Sequence, residues 1–446
     1  MENTTNKMVN AWIYLDEDQP SGAGYTSPNS SYQSLIINNV YQSVDMLFVC
    51  FFDTVEDDLG YYSIEIGNAG TVHPGGLTTK QYLQNVITDS RKQNQGIKIL
   101  ATLNYNENTL LRIFSQDSSK WAIEADTFAK NLCAYLISNQ MDGFDIDWEG
   151  AFACSISTQQ FTILFSAIRS VFNTSTKYLY LTLSPASVGN LDATTVNTDF
   201  DFLNLQLYST FTSPNEFLKV GITPAKLQYG AQFEQGIGIW QNANQVFKAY
   251  SAGFDYKNIH YPYNIVTQWR LNSGNYEYEQ SQQILLHQLI YSIQTSNFND
   301  TGIISNAGNP PITGLIIRSG EILDSIQATN TSSVGAVFNL LQHGGNGGGQ
   351  SIITLDKGDV ITKITGYKGV WFGWNCIAQI TVTTKNGKTY GPFGNMNNVS
   401  SKTSFSYVAS SGQSIVAFSG ATTRIPEGDG TPSFIVTDLN VSYGNS

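Results

Sequence analysis

The chain has 446 residues against the ~150 of an average domain, so a single small module is excluded and two domains are the starting expectation. Hydrophobic residues make up 41% and aromatic residues 12%, enough for sizeable cores, while a net charge of -12 argues against a nucleic-acid binder or a protein drawn to anionic membranes. Neutral or uncharged polar ligands are expected instead.

Met1 to Lys7 shows no basic region leading into an apolar run, and no later stretch approaches the ~18 apolar residues that span a bilayer. The chain is therefore expected to be soluble and without a leader, either cytoplasmic or exported by a leaderless route. Cys50, Cys133, Cys154 and Cys376 lie far apart, as do His73, His260, His287 and His343, so neither a disulfide framework nor a metal cluster is expected. No cofactor is implied.

Apolar, β-branched or aromatic runs recur at Val9–Leu15, Met46–Phe52, Lys98–Asn104, Gly143–Asp147, Tyr178–Leu183, Phe202–Tyr208, Lys226–Phe233 and Asn264–Arg270. Helical periods follow several of them, at Thr79–Arg91, Trp121–Ser138, Gln159–Phe172, Ile239–Tyr250 and Gln280–Ile293, and this alternation is that of a parallel sheet. Eight such units predict a (β/α)8 TIM barrel over residues 1–300, with the helices after the first and sixth strands poorly marked. From Ser296 turn formers take over, ending in Asn306-Ala307-Gly308-Asn309-Pro310-Pro311, so 301–311 reads as a linker and a chain ending near Ser305 should fold alone.

Residues 312–446 carry only strand-like runs separated by Gly, Asn and Ser, an all-β module. A pattern of turn glycine, polar residue and alternating apolar positions appears three times, at Gly320–Ile326, Gly358–Ile364 and Gly412–Phe418, which predicts three small sheets packed with pseudo-threefold symmetry. Charge divides unevenly: the balance is -13 up to Thr301 and +1 from Gly302.

The most informative segment is Asp142-Gly143-Phe144-Asp145-Ile146-Asp147-Trp148-Glu149. In a strand, Asp145, Asp147 and Glu149 share one face, each ~7 Å from the next along the chain. Three acids crowded inside a barrel repel one another and raise their pKa values, which costs stability and is tolerated mainly where chemistry needs it. A calcium loop would need Glu at its twelfth position, where Ile156 stands. A strand with one face in water is the other bland reading, disfavoured among parallel strands covered on both sides.

The segment resembles the DxxDxDxE signature of family-18 glycoside hydrolases, which include chitinases and endo-β-N-acetylglucosaminidases. That resemblance implies retaining, substrate-assisted hydrolysis: Glu149 as proton donor, Asp147 orienting the substrate's 2-acetamido group, Asp145 sharing a proton with Asp147, and Asp142 completing the motif on the substrate-binding side. It further implies that Tyr208, after Gln206-Leu207, hydrogen-bonds the acetamide and that Trp269 forms the floor under the reacting sugar, with Gln206 a further substrate contact; Tyr229 and Trp240, outside the matched motifs, are expected to add sugar-stacking surface. Two departures stand out. The third strand reads Leu100-Ala101-Thr102-Leu103-Asn104 where the family has SxGG, which puts the support of Asp145 in question, and Ser209 follows Tyr208 where many chitinases carry Asp or Asn.

Residues 312–446 resemble a jacalin-like lectin domain, a β-prism, through Ile316–Gly320, the glycine loop His343–Gly349, Thr384–Gly394 and Ile415–Gly420. In that family a glycine-rich loop and a GxxxD loop near the C-terminus hold sugar. Gly344, Gly345 and Arg424 occupy the corresponding positions, Arg424 standing where the Asp is expected. Gly320 to Asp324 spells GxxxD, but in the first repeat, far along the chain from the expected loop.

The leading expectation is a chitinase acting on β-1,4-linked N-acetylglucosamine polymers with the lectin module for targeting. An endo-β-N-acetylglucosaminidase on N-glycans is the second. A non-catalytic chitinase-like lectin is the third, disfavoured because Glu149 is kept. Partners are chitin or other N-acetylglucosamine glycans, with no nucleic acid and no membrane span; membership of a larger assembly would explain leaderless export.

Overall fold

The computed structural model describes residues 7–210, 212–426 and 432–445. Residues 1–6, read above for a leader, lie outside them. Eight parallel strands close into a barrel: β1 (Met8–Tyr14), β2 (Met46–Glu56), β3 (Lys98–Leu103), β4 (Gly143–Trp148), β5 (Tyr180–Pro185), β6 (Phe202–Gln206), β7 (Leu227–Gln232) and β8 (Ile265–Trp269). Each pairs with the next, and β8 returns to β1 from Met8↔Ile265 to Ala11↔Gln268. The order is the one expected from the sequence.

The helices after the first and sixth strands, Ser31–Ile37 and Pro214–Lys219, have seven and six residues, too few turns for a helical period to register. The well-marked ones are long and firmly started: Thr78 with Gln81 and Ser157 with Gln160 form capping boxes that open Thr79–Gln93 and Thr158–Asn173. β2 runs past its expected end at Phe52 and turns into an antiparallel hairpin with Tyr62–Ile66. Among the described residues no helix is long and apolar enough to cross a membrane.

All six residues of β4 are buried, as a barrel strand requires. Trp148 meets Phe152 at 5.4 Å and Phe161 of the following helix at 5.3 Å, so it belongs to the outer, helix-covered layer. The alternation sends Asp145 and Asp147 to the interior. There they join a polar layer made by Asn10, Thr182, Ser184, Asn204 and Thr267, all buried.

The C-terminal region holds β9 (Thr295–Asn299), β10 (Ile312–Ser319), β11 (Leu323–Thr331), β12 (Gly349–Thr354), β13 (Ile361–Trp371), β14 (Trp374–Thr384), β15 (Val399–Val408), β16 (Gln413–Ile425) and β17 (Ser433–Asn445). They form three antiparallel sheets, β9-β16-β17, β11-β10-β12 and β14-β13-β15, the last two extended by short strands. The apolar positions of the three repeats, Leu323 and Ile326, Ile361 and Ile364, Ile415 and Phe418, meet in one core. Gly358 and Gly412 both sit at φ +80°, a turn conformation that disfavours a side chain.

The expected linker 301–311 is a finding against the sequence. Thr301–Asn306 is a helix, Ile303 and Ile304 are buried in the β core, and Thr295–Asn299 pairs with Gln413–Ile425. Two adjacent isoleucines are too few to show a period, so only the turn formers around them registered. The chain forms two compact units: Met1–Asp18 with Tyr41–Gln241 and Lys248–Ser273, and Gln19–Val40 with Asn242–Phe247 and Gly274–Ser446. Within the second, helix Tyr276–Ile290 is tied by Gln280 Nε2 to Ser31 O at 3.1 Å, by Asn339 Nδ2 to Glu277 at 3.3 Å and by Arg424 Nη1 to Leu289 O at 3.0 Å.

Candidate active site

A cavity of about 450 Å³ opens at the C-terminal ends of the barrel strands. Its lining includes residues at or just past those ends, Tyr14, Asn104, Glu149, Tyr208 and Trp269 among them, with Phe51 from within β2. Loops after barrel strands are where such a fold exposes groups without disturbing its core.

Asp147 and Glu149 both line this cavity, and Asp145 lies one step deeper on the same strand face. Asp145 is fully buried and accepts Thr182 Oγ1 at 2.6 Å and Ser184 Oγ at 3.0 Å to each carboxylate oxygen. Both donors come from β5. The third strand's departure from SxGG therefore leaves Asp145 supported, mainly from the neighbouring strand on the other side, with Thr102 of the third strand adding a smaller pull. Burial pushes the Asp145 carboxyl up to about 6, against the pull of the Thr182 and Ser184 hydrogen bonds.

Asp147 is 8% exposed. Gln206 Nε2 donates to its Oδ1 at 2.8 Å and to Ser184 O at 3.1 Å, which fixes the amide between strands β4, β5 and β6. Burial first, and then the charges of Glu149 and Asp145, hold Asp147 well above the ordinary carboxylate range. Burial also raises Glu149. In both, burial disfavours the ionised form. Tyr208 lines the cavity half-buried, and its phenol is raised by burial and then by Asp147 and Glu149, so it remains an O–H donor.

Trp269 lines the cavity, 6.0 Å centroid to centroid from both Trp12 and Phe51. Its Nε1 donates to Glu234 Oε2 at 2.7 Å. Arg270 Nη2 reaches Glu17 Oε1 at 2.7 Å and Glu234 Oε1 at 3.1 Å. Glu17, Glu234 and Arg270 were missed in the sequence. Each lies within three residues of a strand end at the catalytic rim, a position that signals function in a barrel even without a motif.

Three expected substrate contacts are elsewhere. Asp142 precedes β4 and pairs with Arg91 at 2.9 Å and Lys177 at 3.3 Å while accepting Ile99 N at 3.0 Å. Seven residues at ~3.3 Å each separate it from Glu149 by ~23 Å along the strand, so it serves the barrel's opposite end. Tyr229 is buried, donating its hydroxyl to Gln241 and stacking edge-on with Tyr263. Trp240 is half-exposed and does not line the cavity.

In the second unit the Arg424 guanidinium is engaged, donating to Leu289 O, while its backbone pairs with Phe434, whose carbonyl accepts Gly345 N at 2.9 Å. Gly344 and Gly345 also lie beside the first-repeat motif Gly320–Asp324. Ser325 pairs with Gly344, Gly345 N donates to Asp324 O at 3.1 Å, and Arg318 holds the carbonyls of Gly347 and Gly348 at 2.9 and 3.2 Å. A Cβ on Gly347 or Gly348 would stand 2.6 or 2.4 Å from the Asp324 carboxylate. The fold thus brings together the glycine loop and the GxxxD spelling that lie apart in sequence.

Among solved structures the chain is similar to a mannose binding jacalin related lectin from Ananas comosus, 27% identical over 31% of this chain and 85% of that one, TM-score 0.25. It is also similar to Malaysian banana lectin, 26% identical over 33% and 91%, TM-score 0.24. No curated protein matches it. The family model described as Jacalin-like lectin domain matches residues 295–425. The one described as Glycosyl hydrolases family 18 matches residues 22–280, more than half of the chain, and the chain belongs to that family.

Proposed function

We propose that the protein hydrolyses β-1,4-linked N-acetylglucosamine polymers with retention, using the substrate's own acetamide as nucleophile. The observation that carries this reading is the allocation of carboxylates in the cavity. Glu17 and Glu234 are engaged by Arg270 and Trp269, which leaves Asp147 and Glu149, side by side on one strand face, for the sugar. Two residues apart on one strand, they reach the sugar from the same side, which favours this reading over an ordinary retaining pair, whose two carboxylates flank the bond.

In this reading Glu149, whose hold on its proton is strengthened by burial, gives that proton to the glycosidic oxygen as the bond to the anomeric carbon breaks. The acetamide carbonyl oxygen closes on that carbon to form a cyclic oxazolinium ion. Asp147 accepts the acetamide N–H, and the pair it forms with Asp145, sharing one proton, carries the single negative charge that balances the developing positive charge, while the Tyr208 hydroxyl holds the carbonyl oxygen in line. Water, deprotonated by the now ionised Glu149, opens the ring and restores the acid. Trp269 supplies an apolar floor under the sugar.

The C-terminal module attaches the enzyme to glycan and raises its local concentration there, with Asp324 and the loop Gly344–Gly349 as the sugar-holding pair. Turnover of chromogenic chito-oligosaccharides, set beside an N-glycoprotein and cellulose oligomers, tests the reading. Cleavage of the first and inertness of cellulose, which lacks the acetamide, is the expected result. Equal cleavage of cellulose rules the mechanism out, and preference for the N-glycoprotein moves the substrate to N-glycans with the same chemistry.

A further inference from the structure

Asp145 is the last member of a hydrogen-bond chain that crosses the barrel interior. Asn10 Nδ2 donates to Thr267 Oγ1 at 3.3 Å, Thr267 Oγ1 to Asn204 Oδ1 at 2.6 Å, Asn204 Nδ2 to Ser184 Oγ at 3.3 Å, and Ser184 Oγ to Asp145 at 3.0 Å. The four donors come from β1, β8, β6 and β5 and are all fully or almost fully buried. Every donor points the same way. The single hydrogen of Thr267 goes to an amide oxygen and that of Ser184 to a carboxylate, so each hydroxyl can only accept from the member behind it.

The far end fixes the sense of the chain. Asn10 Oδ1 is a buried acceptor with no side chain or backbone donor among the described residues. An unpaired buried carbonyl costs stability that an apolar residue at this position would avoid. Aligned donors polarise one another in a low-dielectric interior and strengthen the last bond of the series.

We propose that Thr267 and Asn204 are positioning residues for the acid pair: acting through Ser184, they hold the negative charge on Asp145 and so leave the shared proton on Asp147, at the cavity wall. This rests on the hydrolase reading above. The titratable groups bearing on Asp145 are Asp147 on its own strand, with Glu149 beyond it, Cys50 on β2 and Tyr208 after β6. All are acids, and none favours the ionised form of Asp145. Its stabilisation falls to hydrogen-bond donors: Thr182 first, then Ser184, which is backed by the chain, with smaller shares from Thr102 and the Ile146 N–H. Burial and donation in balance agree with a carboxyl raised only to about 6.

The test uses the full chain with Thr267→Val, which removes the hydroxyl at nearly constant shape, Thr267→Ser, which keeps it, and Asn204→Leu. The pH profile of kcat/KM on a soluble chito-oligosaccharide should show the acid limb of the valine and leucine variants moved up by about 0.5–1 pH unit, with the serine variant at the wild-type position. Carbon-13 NMR of aspartate-labelled protein, with Asp145 assigned by its loss in Asp145→Asn, should show the same displacement and needs no turnover. If the wild type cleaves nothing, the hydrolase reading fails while the carboxyl titration still decides this one. A folded Thr267→Val protein whose carboxyl titration is unmoved overturns the proposal, as does a rate lowered equally at every pH. Should Asn204→Leu not fold, the valine and serine pair carries the comparison.

Discussion

The indole N–H of Trp269 and the guanidinium of Arg270, adjacent in the chain, converge on one carboxylate, Glu234, at 2.7 and 3.1 Å. The ring at the cavity floor is thus oriented by a group on a different strand end. Removing Glu234 as Glu234→Ala frees the indole and leaves Arg270 with Glu17 alone. Hydrogen bonds to charged groups are worth ~1.5–3 kcal/mol, so kcat/KM on chito-oligosaccharides should fall ~10- to 100-fold, mostly through KM. Steady-state kinetics beside Glu234→Gln, which keeps one acceptor, check this; equal losses in both variants would show that charge, not indole orientation, matters.

Glu149→Gln should lower turnover ~10²- to 10⁴-fold while oligosaccharide affinity stays near that of the wild type, because an amide keeps the shape but has no proton to give. Isothermal titration with a substrate that the variant no longer cleaves measures the second half. Near wild-type turnover would show that another group is the acid.

Asp147 predicts a trade between activity and stability. Its folded pKa is raised, so the folded chain keeps a proton that the unfolded chain releases, and stability is lost as pH rises from the ordinary carboxylate range to the raised value. Asp147→Asn removes that penalty and keeps the acceptor for Gln206. It should be inactive yet melt higher than the wild type at pH 7, by ~2–4 °C for each kcal/mol relieved, with the gain vanishing near about pH 3.5. Thermal melts at the two pH values decide it, and a lower melting temperature at pH 7 would contradict it.

Gly348 sits at φ +61°, and a Cβ there would press on both the Asp324 carboxylate and the Ser319 backbone. Gly348→Ala and Asp324→Ala should each abolish retention on every sugar of a glycan array that the wild type binds. Hydrolysis of a small soluble substrate should remain unchanged. Binding that survives both variants would place the lectin site elsewhere.

The sequence led to the expectation that a chain ending near Ser305 folds alone; the packing seen in the structure leads to the opposite one. Such a cut removes the partners of Ile303, Ile304 and Thr295–Asn299 and leaves helix Tyr276–Ile290 without Asn339 and Arg424. The shortened chain should be aggregation-prone or melt well below the full chain, by light scattering and thermal denaturation.

What was legible depended on whether a signal was local. Asp145 and Asp147 declared themselves by alternation within one strand, and Gln206 and Trp269 by standing at the ends of recognisable strands. Asp142 misled because its motif is continuous in sequence while a strand is long enough to deliver its two ends to opposite faces of a barrel. Glu234 and Arg270 carry no local pattern, since their meaning lies in each other. Gly320 to Asp324 was legible as a spelling and not as a place. The pairing of Ser325 with Gly344 is a long-range hydrogen-bond choice that no window of residues records.

The division of the chain also constrains how it can be made. Gln19–Val40 is synthesised early, yet apart from the short piece Asn242–Phe247 the rest of its compact unit begins only at Gly274. On the ribosome that segment, with its short helix Ser31–Ile37, has to wait while the whole barrel sequence is translated, and it settles only when the C-terminal sheets arrive. The same interleaving means that the β module is not a cassette: a gene fusion that swapped residues after Gly274 for another lectin would strand an N-terminal piece that had evolved to fit the original.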